Sequence, residues 1–266
     1  MFDLRIFSAV FLISVPGIVI TVPRIIDRII ERSGGVLPNG KPIPPRPTLV
    51  ALGVIQSCVF LAGLSAVGAV FAPRVGPGAP VIAALVHGGD VAAALPNPLA
   101  VVGISLVGIV PFLLLYYVVF RPWLDDETAA TTDALRRQLG LGARLLYGGV
   151  VEEVLMRWGV MSLLAWLFGL VLGAQAATWT AIIVAGILFG IGHIPSYAAA
   201  GCKPGVPLFT TQIVLNLLAA LVFGYLFARF GLFAAIVSHM LFHLVWYPID
   251  VATARTGDKA ARSRLT

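Results

Sequence analysis

The sequence predicts an all-α fold, a polytopic bundle of about seven transmembrane helices plus a re-entrant or interfacial segment. Three observations lead there. Hydrophobic residues make up 59% of the 266 and charged residues only 11%, against about 45–50% and about 25% in soluble domains. The mean hydropathy is +0.98, an excess that a water-soluble globule cannot bury. The apolar residues also fall into stretches near the roughly 20 residues needed to cross a bilayer. A soluble enzyme, a secreted disulfide scaffold and a disordered chain are excluded.

The first span covers residues 6–22. It is short, but no small-residue cleavage site follows it, so it reads as an uncleaved first helix rather than a signal peptide. A polar stretch, 23–47, comes next. Its second half, with Leu37-Pro38-Asn39-Gly40 and the prolines of 42–47, is incompatible with helix. The second span is 48–72. Residues 81–95 are apolar but interrupted by His87-Gly88-Gly89-Asp90, which makes them the re-entrant or interfacial segment, with His87 at the interface. The third span is 99–120, followed by a charged segment, 121–142, that suits a surface helix. Four spans complete the chain: 143–172, 176–194, 208–228 and 232–249. The tail after Asp250 is polar, basic and expected to be loose.

Lys and Arg set the orientation. Arg24, Arg28, Arg32, Lys41 and Arg46 follow the first span. Arg121, Arg136, Arg137 and Arg144 follow the third, Lys203 the fifth, and Arg255, Lys259, Arg262 and Arg264 the last. Seven spans put all of these on one side and leave Arg74 and Arg229 opposite. The expectation is a multi-pass protein of a bacterial inner membrane with a cytoplasmic C-terminus. The net charge of +6 is explained by these loops. No basic stripe with interleaved aromatics points to nucleic acid. Cys58 and Cys202 show no metal-ligand spacing.

An ionisable group inside a bilayer costs about 2.5–3.5 kcal/mol on insertion scales and is a functional candidate by default. The candidates are Glu152, Glu153, Arg157, His193, His239 and His243. Glu152 and Glu153 are adjacent, so on a helix they point about 100° apart and cannot do the same job. Glu153 and Arg157 are spaced i, i+4 and form an ion pair on one face, leaving Glu152 for other work. A structural polar knot would use the same residues. His193 closes the fifth span at a depth similar to Glu152, one turn after Phe189. His239 and His243 share one face of the last span. They can bind metal, relay a proton or donate to a substrate oxygen. A carboxylate and three histidines around one pocket suit hydrolysis, with the carboxylate as general base for water and other donors on the oxyanion.

These residues carry a resemblance. Glu152-Glu153-Val154-Leu155-Met156-Arg157 is similar to an EExxxR motif, Phe189-Gly190-Ile191-Gly192-His193 to FxxxH, and Ser238-His239-Met240-Leu241-Phe242-His243 to a third motif of His followed four residues later by a polar residue. Together they resemble the CPBP family of intramembrane proteases (the Abi family), which includes type II CAAX prenyl endopeptidases (Rce1-like proteins) and bacteriocin-immunity relatives. The resemblance implies a catalytic cavity open to the cytoplasm, with Glu152 and His193 activating water and His239 helping to hold the oxyanion. His243 stands where well-studied members carry Asn, and can still donate a hydrogen bond. It also offers a second imidazole, so zinc on Glu152, His193, His239 and His243 stays open, although a metal-free site is favoured and no HExxH occurs.

The chain then divides into an N-terminal transmembrane region without motif (1–141), a protease core (142–250) and a basic cytoplasmic tail (251–266). Its partners are the lipid bilayer and a membrane-associated peptide or protein, prenylated or not. Two other classes use similar features. A proton-coupled transporter would spread ionisable groups through the membrane depth and show repeated halves. A non-catalytic scaffold or bacteriocin-immunity-type protein would keep only the fold.

Overall fold

The computed structural model describes residues 2–36 and 40–263, with side chains as far as residue 253. Helix α1 (Leu4–Ser33) starts where the Asp3 carboxylate accepts from the amides of Arg5 and Ile6, and stops at Gly34, whose φ of 60° suits glycine. The sequence ends this span at residue 22, but the helix continues through Pro16 and Pro23 for 30 residues. At 1.5 Å per residue it is about 45 Å long, more than a hydrocarbon core of about 30 Å. Its last turns, with Arg24, Arg28 and Arg32, therefore extend past the apolar part. Of the stretch expected to be non-helical, residues 37–39 lie outside the described residues, and residues 40–45 form no helix. Helix α2 (Arg46–Val75) begins within the proline run, with Pro47 in its first turn, where a missing N–H costs no helical bond.

Two short helices, α3 (Pro80–His87) and α4 (Val91–Ala94), occupy the interrupted segment. Neither is long enough to cross a bilayer. His87 is exposed and lies 2.8 Å from Asp3 at the start of α1. Helix α5 (Pro98–Leu114) continues without a break through a π-wound stretch, Leu115–Phe120, and the turn Arg121–Trp123. The charged segment forms α6 (Asp126–Ala143). Gly140, at φ 72° and ψ 162°, kinks it near its C-terminal end.

The fourth expected span is a helical rod over 144–169. It is wound as two π-type stretches, Arg144–Glu152 and Val154–Met161, and ends in α7 (Ser162–Gly169). Three long helices close the fold: α8 (Ala174–Ala199), α9 (Val206–Phe230) and α10 (Leu232–Ser263). The tail expected to be loose continues α10 as helix to Ser263.

Six helices among the described residues are long and apolar enough to cross a membrane: α1, α2, Val91–Trp123, α8, α9 and the part of α10 at Leu232–Thr253. The protein is an integral, multi-pass membrane protein. The rod 144–169 is not among the six. It carries Arg144, Glu152, Glu153 and Arg157, charges that only a protein-lined position tolerates. It packs against α1 and α2 on one side and α8 and α10 on the other. Trp158 is its anchor, fully buried, donating from Nε1 to the Ser65 carbonyl at 3.0 Å and lying flat against Gly68 of α2. Outward-facing Leu52, Val59, Val107 and Val118 are exposed, as expected where the solvent is lipid.

The basic segments meet at one end of the bundle. Arg24 donates to the Leu139 carbonyl, the Lys203 amide to Thr128, and Arg136 to Asp250. At the other end the Leu232 amide donates to the Gly78 carbonyl, and Asp3 meets His87.

Candidate active site

Three helical segments bring the candidate residues together: the rod with Glu152 and Glu153, α8 with His193, and α10 with His239 and His243. Local packing fixes each one. A Cβ on Gly190 would stand 2.7 Å from the Ile213 Cα, so glycine there lets α8 close onto α9 just ahead of His193. On α10 the Ser238 hydroxyl lies 2.7 Å from that of Ser105, which pins the helix one residue before His239.

Glu152 is the hub. Its Oε1 lies 3.9 Å from His193 Nε2, and its Oε2 lies 3.9 Å from His239 Nε2. Both gaps exceed a direct hydrogen bond and match a single bridging water. The Glu152 and His193 side chains are 19% and 27% exposed. His193 Nδ1 lies 2.8 Å from the Phe189 carbonyl oxygen. That oxygen can only accept, so Nδ1 carries a proton, and in the neutral tautomer Nε2 presents a lone pair toward Glu152.

Glu153 sits at the opposite extreme, fully buried. Its Oε1 accepts from His239 Nδ1 at 2.7 Å and faces Arg157 Nη1 at 3.2 Å. Helical spacing points to the arginine but not to the histidine. Arg157 is held by charge and by aromatic faces. Its terminal nitrogens make no hydrogen bond among the described residues, while its guanidinium stands 5.5 Å from the Phe189 ring and 5.3 Å from the Phe223 ring. Phe189 meets His193 edge-on at 4.5 Å, and Phe223 stacks on His239 at 4.5 Å. One arginine thus backs the rings that set both imidazoles.

His243 stands apart from the other three. It stacks on His239, with centroids 4.8 Å apart, but among the described residues no hydrogen bond or ion pair joins it to Glu152. Its Nδ1 accepts from Arg144 Nε at 3.3 Å, and its Nε2 edge lies over Gly148, where a Cβ would overlap it.

Arg144 belongs to a buried polar network that sequence reasoning does not find. By sequence it ranks among the loop cations, yet it is buried in the rod, with Nη1 2.8 Å from Asp250 Oδ2. Asp250 also accepts from Tyr117 at 2.9 Å and from Arg136. Arg136 bonds Asp133, whose other partners are Tyr116 at 2.7 Å and Arg121 at 3.0 Å. Burial alone would raise the Asp133 carboxyl, but Arg136, Tyr116 and Arg121 outweigh it and hold it below its usual range. The available signal is the 4, 3, 4 spacing of His239, His243, Trp246 and Asp250 on one helical face.

Among the described residues no group of three or more His, Cys, Asp or Glu side chains is placed to hold a metal ion. His239 keeps Nδ1 on Glu153 and His193 keeps Nδ1 on the Phe189 carbonyl, so both Nε2 atoms face Glu152, whereas His243 turns Nδ1 to a guanidinium. A cleft of about 330 Å³ exists at the far end of the bundle, beside Trp179, Tyr225 and Arg229, away from this chemistry.

Residues 138–245 match the family model of type II CAAX prenyl endopeptidase Rce1-like proteins. This segment is an Rce1-like domain. The family is one of proteases. The domain starts next to the Gly140 kink and contains Glu152, Glu153, Arg157, His193, His239 and His243. No curated protein and no solved structure matches the chain. Asp250 and most of α6 fall outside the Rce1-like segment, so the network that reaches His243 is built partly from flanking sequence.

Proposed function

We propose that the protein is an intramembrane endopeptidase that hydrolyses a peptide bond of a membrane-associated protein or peptide, CAAX-type prenylated chains among them. The observation that carries this reading is the Glu152 carboxylate, partly exposed and 3.9 Å from the Nε2 atoms of both His193 and His239. Glu152 takes a proton from water as general base, and the lone pair on His193 Nε2 accepts the second hydrogen and aims the oxygen. The water oxygen adds to the scissile carbonyl carbon. His243 donates from Nε2 to the oxyanion, and His239, its Nδ1 held by Glu153, helps to hold it when an Nε2–H is present. The C–N bond then breaks, and Glu152 returns its proton to the leaving amine.

In this reading residues 142–250 form the catalytic core, 1–141 an N-terminal membrane region and 251–266 a basic tail. The rod 144–169 is the seventh span, and the basic end of the bundle faces the cytoplasm of a bacterial inner membrane and admits the substrate. Comparative mass spectrometry of membrane-associated peptides from cells making wild-type protein or Glu152→Gln tests the activity. Peptides that end at a new terminus should disappear in the variant. An unchanged peptide set with full-length variant in the membrane would remove Glu152 from the chemistry.

A further inference from the structure

We propose that Arg144 and Asp250 are positioning residues that lock His243 in the tautomer with a bare Nδ1 and a protonated Nε2. This rests on the reading of His243 as an oxyanion donor. A guanidinium has five N–H donors and no acceptor. With Arg144 Nε 3.3 Å away, His243 Nδ1 must therefore present a lone pair, and the ring proton goes to Nε2. Among the described residues nothing accepts from that Nε2–H, which is left for substrate. The opposite tautomer would set two N–H groups against each other at Arg144 and turn a lone pair toward the oxyanion.

The lock needs two donors in a fixed fork. Arg144 spends Nε on His243 and Nη1 on Asp250, 2.8 Å away, and both side chains of that pair are buried. Asp250 lies seven residues after His243, on the same face of α10. One arginine from the rod thus grips the helix at two points about two turns apart. Tyr117 and Arg136 hold Asp250 in turn. A lysine would neutralise Asp250 but cannot supply the same fork.

Nitrogen-15 NMR of histidine-labelled full-length protein in nanodiscs reads the tautomer without a substrate, and His243→Asn assigns the signal among the four histidines. Wild type should show only Nε2–H at His243, while Arg144→Lys and Asp250→Asn should give a mixture. A protonated Nδ1 in wild type, or an unmoved signal in both variants, overturns the proposal. Kinetics on a farnesylated fluorogenic peptide supply a second reading. Arg144→Lys should lower kcat by about 10-fold or more, within the 10²–10³ range of one lost oxyanion donor, with little change in KM. In the His243→Asn background, which has no tautomer to set, the same substitution should cost less than about 2-fold. Equal losses in both backgrounds would make Arg144 merely structural. If wild-type protein leaves the peptide uncut while the tautomer shift is seen, the protease reading fails and the lock stands.

Discussion

Glu153 Oε1 and His239 Nδ1 are joined by a buried 2.7 Å hydrogen bond between the rod and α10. The bond sets the two adjacent glutamates in different environments. Glu153 orients an imidazole and balances Arg157, while Glu152 remains partly accessible and free to meet water.

Arg157→Ala should therefore fail in folding rather than chemistry. It strands the Glu153 charge and removes the cation behind Phe189 and Phe223. Breaking a buried pair from one side costs about 3–5 kcal/mol, enough to consume much of a typical stability margin. Membrane yield and thermal unfolding of Arg157→Ala should both drop, while Glu152→Gln should unfold like wild type with no activity. Wild-type stability in Arg157→Ala would show that the pair contributes little.

Gly148 is the second point of leverage. A Cβ there would stand inside contact distance of His243 Nε2, so Gly148→Ala should displace the ring and cost about 10²–10³ in rate, the worth of one oxyanion donor. Gly169→Ala, with open space around it, is the control and should be silent. Asn is shorter than His, so His243→Asn should recover part of the Gly148→Ala loss. Full activity in Gly148→Ala alone would mean that the ring edge is not used.

The parts legible from sequence share one property: they are ionisable groups in apolar surroundings. Glu152, His193 and His239 stand out because lipid penalises them, and helical spacing alone places Arg157 beside Glu153. Arg144 and Asp250 hide because they sit where a span meets its polar flank. There an arginine reads as a loop anchor and an aspartate as the start of a tail. Their pairing is a tertiary contact across 106 residues, which no local pattern encodes. The continuation of α1 past residue 22 hides for a related reason: the apolar run ends there, while the helix goes on through Pro23 to Ser33. The π winding of the rod leaves no trace in periodicity.

Asp133 gives a pH signature at the basic end. Its folded carboxyl titrates below its usual range, against the push of burial, because Arg136, Tyr116 and Arg121 favour the anion. A depressed folded value means that the stabilisation is complete above the unfolded value of about 3.9 and is lost as pH falls through the folded value. Thermal stability of purified protein should fall in that acid range. Asp133→Asn should be less stable at neutral pH and lose less on acidification. Parallel pH curves for the two proteins would assign the acid sensitivity elsewhere.

Orientation is testable by single-cysteine labelling at Lys41, Gln138, Lys203 and Lys259 in a background lacking Cys58 and Cys202. All four should react only with reagent on the cytoplasmic side, since their segments carry the basic residues. Labelling of any one from outside would break the count of seven spans.

Hydrogen-bond catalysis and metal catalysis separate at His243. With Nδ1 of His243 turned to Arg144, that imidazole donates from Nε2, while Nδ1 of His239 is held by Glu153. An Asn amide at 243 can also donate, so His243→Asn should keep most of the wild-type activity, whereas His243→Ala should lose about 10²–10³. Chelators should leave both wild type and His243→Asn unchanged, because Glu152 with His193 activates water unaided. A zinc site would behave otherwise, since an amide is a poor replacement for an imidazole ligand. His243→Asn would then be inactive, the chelated wild type would be inactive, and added zinc would restore the wild type alone. Activity of wild type, His243→Asn and His243→Ala on the farnesylated peptide, each with and without chelator, decides between the two, and zinc rescue is the result that would overturn the metal-free mechanism.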